Sequence, residues 1–319
     1  MPVTSTQRQP VSSPIRDRLC LVLLGAAWAL PLQAAESRVP YVPTPQVVVD
    51  RMLEVAKVGA KDYLIDLGSG DGRIVITAAK KYGTRGFGVD IDPERIAESN
   101  ENARRAGVSD RVAFYQRNLF ETSLEEATVI TMYLLPQVNL ELRPRLLALK
   151  PGTRIVSHDF SMDAWQPDQH IVLETSEKFG GAGGTSDIYF WVVPARVAGR
   201  WTWRSVVSGS ERTYEVSLQQ HYQVLSGTAK VGGGPVKLDR ARLLGDEIHL
   251  EFTIGLNGAK VKHALTGKVD GDAISGISML SGDRLQSQHE WTARRVAREA
   301  VTIEDAGRGR FEPRPPSPH

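Results

Sequence analysis

Cysteine is almost missing from this chain: of 319 residues, only Cys20 carries a thiol. Cys20 opens an apolar block near the amino terminus, and no cysteine follows it. A mature chain without that block has no disulfide, no thiolate nucleophile and no cysteine-bound metal. The seven histidines show neither HxxxH nor HExxH spacing, and no carboxylate cluster accompanies them. The sequence therefore predicts no metal site.

An excess of charge of one sign is also missing. The chain has 39 lysines and arginines against 37 aspartates and glutamates, which gives a net charge of +2 at pH 7. Extended binding to a phosphate backbone needs a basic face, so nucleic acid is not an expected partner. The hydrophobic fraction of 41% lets a chain of this length bury one large core or two smaller ones. No pattern in the sequence indicates an oligomeric state.

The amino terminus has the pattern of a secretory signal. Residues 1–18 are polar with Arg16 and Arg18 near their end, and residues 19–34 form an apolar block that ends in small residues. A helix of about 16 residues is roughly 24 Å long, whereas a bilayer core is about 30 Å thick. We therefore expect a signal peptide at 1–35 and a periplasmic or secreted mature protein without a stable membrane span. The alternative is an uncleaved amino terminus, either as a membrane anchor or in the cytoplasm.

A glycine-rich turn separates an apolar run from a helix-like segment. The run Tyr63–Leu67 leads into Gly68-Ser-Gly-Asp-Gly72, and a second apolar run ends at Asp90, 20 residues after Gly70. Glycines let a backbone approach a ligand closely, and a carboxylate at the tip of the second strand binds ribose hydroxyls. This unit predicts a nucleotide-type cofactor, and it fits NAD and S-adenosylmethionine equally well.

Two carboxylates beside the turn favour S-adenosylmethionine. Asp66 lies at the end of the first strand and Asp71 lies within the turn, so a pyrophosphate would face two like charges. S-adenosylmethionine has no phosphate and brings two cations, an ammonium and a sulfonium. The spacing is also Gly-x-Gly-x-Gly rather than the dinucleotide Gly-x-Gly-x-x-Gly. An NAD-dependent oxidoreductase is therefore disfavoured.

These residues resemble the class I methyltransferase family, and the likeness extends over about residues 40–195. It implies that the glycine turn and Asp66 hold the methionine part of S-adenosylmethionine, and that Asp90 binds the ribose. Ile91 would lie against the adenine and Asn118 on its edge, where the family more often has Asp. Thr44 either touches the donor's carboxylate or only caps the first helix. The cofactor-binding residues that the resemblance implies are Thr44, Asp66, Gly68, Ser69, Gly70, Asp71, Gly72, Asp90, Ile91, Asn118 and Leu119.

A narrower likeness concerns the acceptor. The segments Val39–Pro45 and Tyr133–Leu140 resemble small methyltransferases grouped with the mitochondrial protein-lysine methyltransferases. In that group the segment before the first helix closes over the cofactor, and the acceptor is a lysine. Tyr133 follows the fourth strand, where a ring face would stabilise a cationic product, or it only packs there. Asp159 follows the fifth strand, and it would accept a proton, hold a lysine ammonium, or only cap a turn.

The predicted function is S-adenosylmethionine-dependent N-methylation of a protein lysine or a small-molecule amine, with Tyr133 and Asp159 as the candidate catalytic residues. The alternative is an exported binding protein. In that interpretation the methyltransferase-like domain has no turnover, and a carboxyl-terminal β-barrel binds a ligand or a partner.

The first half of the chain alternates between helical and strand-like patterns, which predicts a doubly wound, mostly parallel seven-stranded sheet over residues 36–195. A helical pattern covers 46–58, and Gly180–Gly184 lies within a closing hairpin. The other helices are predicted near 72–82, 93–106 and 136–148, and the strands near 62–67, 86–90, 111–115, 127–133, 153–158, 171–179 and 187–194.

The pattern changes after Pro194. Eight short alternating runs between 199 and 296 have no helix between them, so residues 196–298 are predicted to form an antiparallel all-β domain, an up-and-down barrel or a sandwich. Gly199-Arg-Trp201 and the late Arg295 resemble the calycin barrels, where an early Gly-x-Trp packs against an arginine. Residues 299–319, rich in Arg, Gly and Pro, are predicted to be a disordered tail. We expect a protease to separate the two domains near 194–199.

Overall fold

The computed structural model describes residues 41–178, 183–207, 209–256, 258–283 and 285–299. The predicted signal peptide at 1–35 lies outside the described residues, and so does the predicted tail beyond Glu299. Most of the predicted glycine-rich loop at 180–184 lies outside them too.

An α/β region occupies the first half of the described chain. Its seven strands have the order β3-β2-β1-β4-β5-β7-β6, with β7 antiparallel to both of its neighbours and the others parallel. This confirms the predicted doubly wound sheet. The strands are β1 Tyr63–Leu67, β2 Arg85–Asp90, β3 Val112–Gln116, β4 Val129–Met132, β5 Arg154–His158, β6 Gln169–Thr175 and β7 Gly184–Val192. The helices are α1 Gln46–Val55, α2 Arg73–Tyr82, α3 Pro93–Ala106 and α4 Pro136–Leu146.

Local sequence explains where α3 and α1 begin. The Asp92 side chain accepts a hydrogen bond from the Glu94 amide at 2.8 Å, and Pro93 occupies the first helical position, so α3 has a standard amino-terminal cap. The residue that precedes α1 is Pro45, and no side chain caps that helix. The alternative in which Thr44 only caps the first helix is therefore wrong.

The sheet topology brings several loops to one edge. Strands β1, β2, β4 and β5 are parallel, so the turns that follow them lie at the same edge of the sheet. After β1 the chain adds β2 and β3 on one side, and from β4 it continues to β5 on the other side. The carboxyl ends of β1 and β4 therefore form the switch point at which α/β sheets bind ligands. The glycine turn, Asp90, Tyr133 and Asp159 all follow these four strands.

The second half is a closed antiparallel β-barrel. Eight long strands close into the barrel, because β9 pairs with both β8 and β10 and so joins the two ends of the sheet. The two-residue β11 pairs with β10 and is not counted among the eight. This confirms the predicted barrel and excludes the sandwich. The strands are β8 Gly199–Val207, β9 Ser210–His221, β10 Val224–Val231, β11 Val236–Lys237, β12 Arg240–Leu244, β13 Glu247–Leu256, β14 Ala259–Asp270, β15 Ala273–Gly282 and β16 Leu285–Arg298.

Side chains fill the inside of the barrel. Trp203 stacks on Tyr214 with ring centroids 4.9 Å apart and also contacts Trp291 at 5.0 Å. These rings belong to one apolar cluster to which nearly every strand of the barrel contributes. Arg295 lies 4.4 Å from the Trp201 ring, which is the contact that the calycin resemblance implies. The interior is thus a packed core, as in small barrels generally.

The barrel packs directly against the α/β region. The Ala195 amide donates to the Gly245 carbonyl at 2.7 Å, and the Tyr222 ring stacks on Trp165 at 6.1 Å. The connecting residues Pro194, Ala195, Val197 and Ala198 are buried.

Of the helices in the described part of the chain, none has the length and apolar character needed to span a membrane.

Candidate cofactor and acceptor site

The glycine turn after β1 has a backbone that only glycine adopts easily. Gly68, Gly70 and Gly72 have φ angles of 77°, 52° and 79°. A Cβ atom on Gly70 would lie 2.5 Å from the Tyr41 ring, and one on Gly72 would lie 2.6 Å from the Phe114 ring. The turn therefore needs glycine both for its conformation and for the space around it.

Asp90 lies beside this turn, as predicted from its spacing. Its Oδ2 accepts a hydrogen bond from the Gly70 amide at 2.9 Å, and its Oδ1 accepts one from the Asp92 amide at 3.0 Å. The carboxylate is thereby fixed between two loops at the tip of β2. The neighbouring Ile91 side chain is half exposed. Both residues have the positions expected for ribose and adenine contacts, and those contacts remain predictions.

Asp66 is a buried carboxyl group at the end of β1. It is 2% exposed, and its Oδ1 accepts a hydrogen bond from the Thr131 hydroxyl at 2.7 Å. Burial, with a smaller contribution from the Asp71 and Asp90 charges, raises the pKa of Asp66 to about 7. A cation next to this group would favour its ionised form, and the ammonium of S-adenosylmethionine is such a cation.

Asp71 is paired within the protein, which the sequence interpretation did not anticipate. The Arg73 guanidinium donates to both carboxylate oxygens, with Nε–Oδ1 at 2.9 Å and Nη2–Oδ2 at 2.6 Å. The like-charge argument against a pyrophosphate is therefore weakened at both carboxylates, because Arg73 neutralises Asp71 and the raised pKa of Asp66 lets that group stay protonated beside an anion. Arg73 also donates to the Thr44 carbonyl at 2.8 Å, so it ties the turn to the segment before α1.

That segment lies over the glycine turn. The Tyr41 ring lies against Gly70, and the Arg95 guanidinium is 4.7 Å from the centre of the same ring. Burial and the nearby Asp71 carboxylate raise the pKa of Tyr41. The arrangement agrees with the expectation that the segment before the first helix closes over the cofactor.

Thr44 contacts a buried histidine. Its hydroxyl is 3.2 Å from His158 Nδ1, and His158 Nε2 is 2.9 Å from the Ser186 hydroxyl. Burial lowers the pKa of His158 to about 4, so the imidazole is neutral at pH 7. This agrees with a structural role for His158.

Tyr133 and Asp159 meet across the tips of β4 and β5. The Tyr133 hydroxyl donates to Asp159 Oδ2 at 3.0 Å, and its ring lies 4.0 Å from the His158 ring. Burial and the Asp159 charge raise the pKa of Tyr133, so the phenol stays neutral. Asp159 has a φ of 61°, an uncommon value for a residue with a side chain. The structure thus joins the two candidate catalytic residues in one cluster.

A lysine completes this cluster. Asp159 Oδ1 accepts hydrogen bonds from Lys178 Nζ at 2.8 Å and from the Asp187 amide at 3.1 Å. Burial opposes ionisation of Asp159, but the contacts with Lys178, His158 and the Asp187 amide together outweigh it and hold the pKa of Asp159 below its usual range. The hairpin between β6 and β7 brings Lys178 here, and no sequence pattern signalled that contact.

Asn118, which is predicted to contact the edge of the adenine, already makes a hydrogen bond within the protein. The Asn118 side-chain oxygen accepts a hydrogen bond from the Phe120 amide at 3.0 Å, which caps the 3₁₀ turn Leu119–Glu121. Leu119 is half-buried and packs against an apolar cluster under the sheet. The structure places both residues at the tip of β3, and their contact with adenine remains a prediction.

The residues around the turn fit S-adenosylmethionine. Ser69 Oγ is buried and has no hydrogen-bond partner among the residues that the structure describes, so it is available to a ligand. The positive-φ glycine backbone, the fixed Asp90 carboxylate and the buried Asp66 carboxyl surround the same place. Among the described residues, no group of histidine, aspartate or glutamate side chains has the arrangement of a metal site.

Comparison with known proteins identifies relatives of the α/β region. The ANTKMT methyltransferase domain family matches residues 66–169. A protein-lysine N-methyltransferase of Saccharolobus islandicus is 51% identical over 138 residues, which cover 43% of this chain and 86% of the relative. The mouse adenine nucleotide translocase lysine N-methyltransferase is 36% identical over 148 residues, which cover 44% of this chain and 64% of the relative.

A solved structure is also similar. An RNA methyltransferase from Salinibacter ruber, crystallised with S-adenosyl-L-homocysteine, is 50% identical, with a TM-score of 0.44. The match covers 49% of this chain and 96% of that structure. The archaeal relative, matched over most of its length, establishes the family. The chain belongs to the family of that protein-lysine N-methyltransferase, and it is an S-adenosylmethionine-dependent methyltransferase.

Proposed function

We propose that this chain methylates the side-chain amine of a protein lysine. The observation that carries the proposal is the pair formed by Tyr133 and Asp159, which join an aromatic ring to an ionised carboxylate beside the glycine turn. An amine acceptor becomes a methylated cation, and a carboxylate and a ring face both stabilise a cation. Relatives named as lysine methyltransferases support the same acceptor class.

The donor side of the site would hold S-adenosylmethionine, which supplies a methyl group bonded to a sulfonium. The backbone of the glycine turn and the Ser69 hydroxyl would bind its methionine part. Asp66 would ionise against the ammonium, and Asp90 would accept hydrogen bonds from the ribose while it stays fixed by Gly70 and Asp92.

The lowered pKa of Asp159 supports one of its three predicted roles, that of holding an ammonium. A carboxylate whose pKa lies below the usual range is a weak base, so Asp159 holds an ammonium better than it removes a proton. The acceptor lysine must lose a proton before its nitrogen has a lone pair, and we infer that this proton leaves to solvent. Tyr133, a neutral phenol that donates to Asp159, orients that carboxylate.

A binding protein without turnover is the disfavoured alternative. In one of its forms the barrel holds an apolar ligand, but the described strands close around a core filled by their own side chains. In its other form the barrel binds a partner surface, which needs no such cavity. A small-molecule amine remains the second acceptor class, and the acceptor experiment separates it from a protein lysine.

Asp90→Ala tests the donor site. The variant should lose the ribose contacts and the anchor of the glycine turn, which would weaken S-adenosylmethionine binding by roughly 100-fold or more. Calorimetric titration measures this, with Asp110→Asn as an exposed control expected to bind like the wild type. A wild-type protein that binds no S-adenosylmethionine would refute the donor assignment.

Asp159→Asn tests the acceptor side. The amide keeps the shape but loses the charge, so the KM for a lysine-containing protein or peptide should rise roughly tenfold with little change in donor affinity. Incubation of a cell-envelope extract with labelled donor, followed by mass spectrometry, identifies the acceptor. Label on a residue other than lysine, or on a small amine, would contradict the proposal. The exposed Asp163→Asn is the matched control.

We also propose that the mature protein lies outside the cytoplasmic membrane, because residues 1–35 have the pattern of a signal peptide. Export raises a supply question, since S-adenosylmethionine is made in the cytoplasm. The intact mass of the protein recovered from cell fractions tests the proposal. A cytoplasmic species that retains residues 1–34 would refute it.

A further inference from the structure

The ammonium of Lys178 is seated deep in the candidate acceptor site. Its Nζ donates to Asp159 Oδ1 at 2.8 Å and also to the Thr185 carbonyl oxygen. The Lys178 side chain is 10% exposed, which is little for a lysine. The chain thus places one of its own lysines on the carboxylate proposed to hold a substrate lysine.

The surroundings of this ammonium match what any lysine acceptor needs. The carboxylate is fixed from its other side by the Tyr133 hydroxyl, and a carbonyl oxygen supplies a second acceptor. Asp159 Oδ1 already accepts from Lys178 and from the Asp187 amide. A second ammonium therefore cannot take the same position while Lys178 remains there.

The position of Lys178 in the fold bears on whether it can be displaced. Lys178 follows β6 in the hairpin that leads to β7, and it is not part of either strand. The neighbouring Glu177 amide donates to the Thr175 hydroxyl at 3.2 Å, and its carboxylate accepts from the Gln46 amide at 3.4 Å. Because Lys178 lies outside the strand ladder, its side chain can change rotamer without breaking a strand pairing.

We propose that Lys178 occupies the ammonium subsite of the acceptor lysine, and that a substrate lysine enters by displacing it. The proposal rests on the proposed lysine methylation and assigns the subsite to Asp159 and the Thr185 carbonyl. Lys178 is then an internal competitor. The apparent affinity for substrate equals the intrinsic affinity multiplied by the fraction of molecules in which Lys178 has left the subsite. The opposing interpretation is a permanent counter-ion that positions Asp159.

Lys178→Met separates the two interpretations, because methionine keeps much of the length and removes the charge. Displacement predicts that the KM for a lysine peptide falls roughly tenfold while kcat stays within about twofold. A permanent counter-ion predicts the opposite, a lower kcat or a higher KM. Lys237→Met, an exposed change in the barrel, is the matched control. Wild-type donor affinity and a single cooperative thermal transition, at a lower temperature because a buried ion pair is lost, show that Lys178→Met is folded.

A second measurement does not depend on turnover. Ligand-detected NMR with n-butylammonium as the probe should show binding to Lys178→Met, weaker binding to the wild type, and none to Lys178→Met combined with Asp159→Asn. Peptide methylation with equal KM for wild type and Lys178→Met would overturn the inference and leave the proposed function intact. Failure of the wild type to methylate any lysine would refute the proposed function, and equal probe binding by wild type and Lys178→Met would overturn the inference by itself.

Discussion

At the scale of single residues, the carboxyl group of Asp66 has the most unusual environment in the donor site. It is almost fully buried, receives one hydrogen bond from Thr131, and has a pKa of about 7. No cation of the protein is among the groups that set this pKa. The site therefore holds a group whose charge becomes favourable when a cationic ligand arrives.

Asp66→Asn should change the pH dependence of stability. The folded pKa lies above the unfolded value, so Asp66 stays protonated to a higher pH in the folded state than in the unfolded state. The free energy of unfolding of the wild type therefore falls as the pH rises from about 4 to about 7. Asparagine lacks this penalty, so its free energy of unfolding relative to the wild type should increase by about 3 kcal/mol between pH 5 and pH 8. Urea unfolding without ligand measures the difference.

The control for this experiment is Asp110→Asn, whose side chain is exposed. Its stability relative to the wild type should not vary between the two pH values. Parallel pH profiles for Asp66→Asn and the wild type would contradict the raised pKa. Asp66→Asn should also bind S-adenosylmethionine weakly, because the variant cannot ionise against the ammonium.

The position of a site residue can be predicted from the sequence where its spacing from another residue is enough to define it. Asp90 was found because 20 positions separate it from Gly70 in a strand–turn–helix–strand unit, and the structure joins the two by a hydrogen bond. The pairing of Asp71 with Arg73 was missed because a charge in a turn gives no sign of where its partner points. The contact of Lys178 with Asp159 depends on a hairpin whose course the sequence does not determine.

At the scale of elements, the glycine turn is the part least tolerant of change. Gly70→Ala should cost about 1 kcal/mol for its positive φ, and its Cβ must also displace the Tyr41 ring. Since that ring covers the turn, we expect S-adenosylmethionine affinity to fall at least tenfold. Calorimetric titration measures the change.

Gly107→Ala is the matched control, because Gly107 ends α3 with a φ of 69° and a Cβ there would meet no atom within 4 Å. It should lose a similar stability and keep wild-type affinity. Equal affinities for the two variants would show that Tyr41 does not contribute to the donor site.

The elements themselves followed from periodicity, with differences at their ends. The α1 helix ends at Val55 rather than near 58, because the chain leaves the helix at Lys57, which has a φ of 49°. One of the eight alternating runs predicted after Pro194 covers residues 235–243, and the structure divides it between β11 and β12, since β11 pairs with β10 alone. Alternation reports which face a residue occupies, whereas pairing partners decide where a strand stops.

At the scale of the whole molecule, the two halves share a buried junction. Tyr222 of the barrel stacks on Trp165 and contacts the Arg143 guanidinium at 5.9 Å, and Gly245 packs against Gly152. The connecting residues are largely buried, which argues against a protease cut near 194–199, and that expectation stays a prediction. The sequence marked the change of fold but not the contacts across it.

We therefore expect the two halves to unfold together. Far-ultraviolet circular dichroism follows the helices, which lie in the α/β half, and tryptophan fluorescence follows both halves. The two signals should give one midpoint in the wild type and separate midpoints in Tyr222→Ala, which removes the stacking on Trp165. Two midpoints in the wild type, or cleavage of the native chain at 194–199, would contradict a cooperative junction.

Closure of the barrel also determines how each half can meet other chains. Among the described residues each of the eight long barrel strands pairs on both sides and only the two-residue β11 has a single partner, so the barrel offers little free backbone to an incoming segment. The α/β sheet does have two edges, at β3 and β6. In the described part of the chain, a partner that adds a strand therefore finds its longest free edges on the methyltransferase half, whereas a partner of the barrel is recognised mainly by side chains and loops.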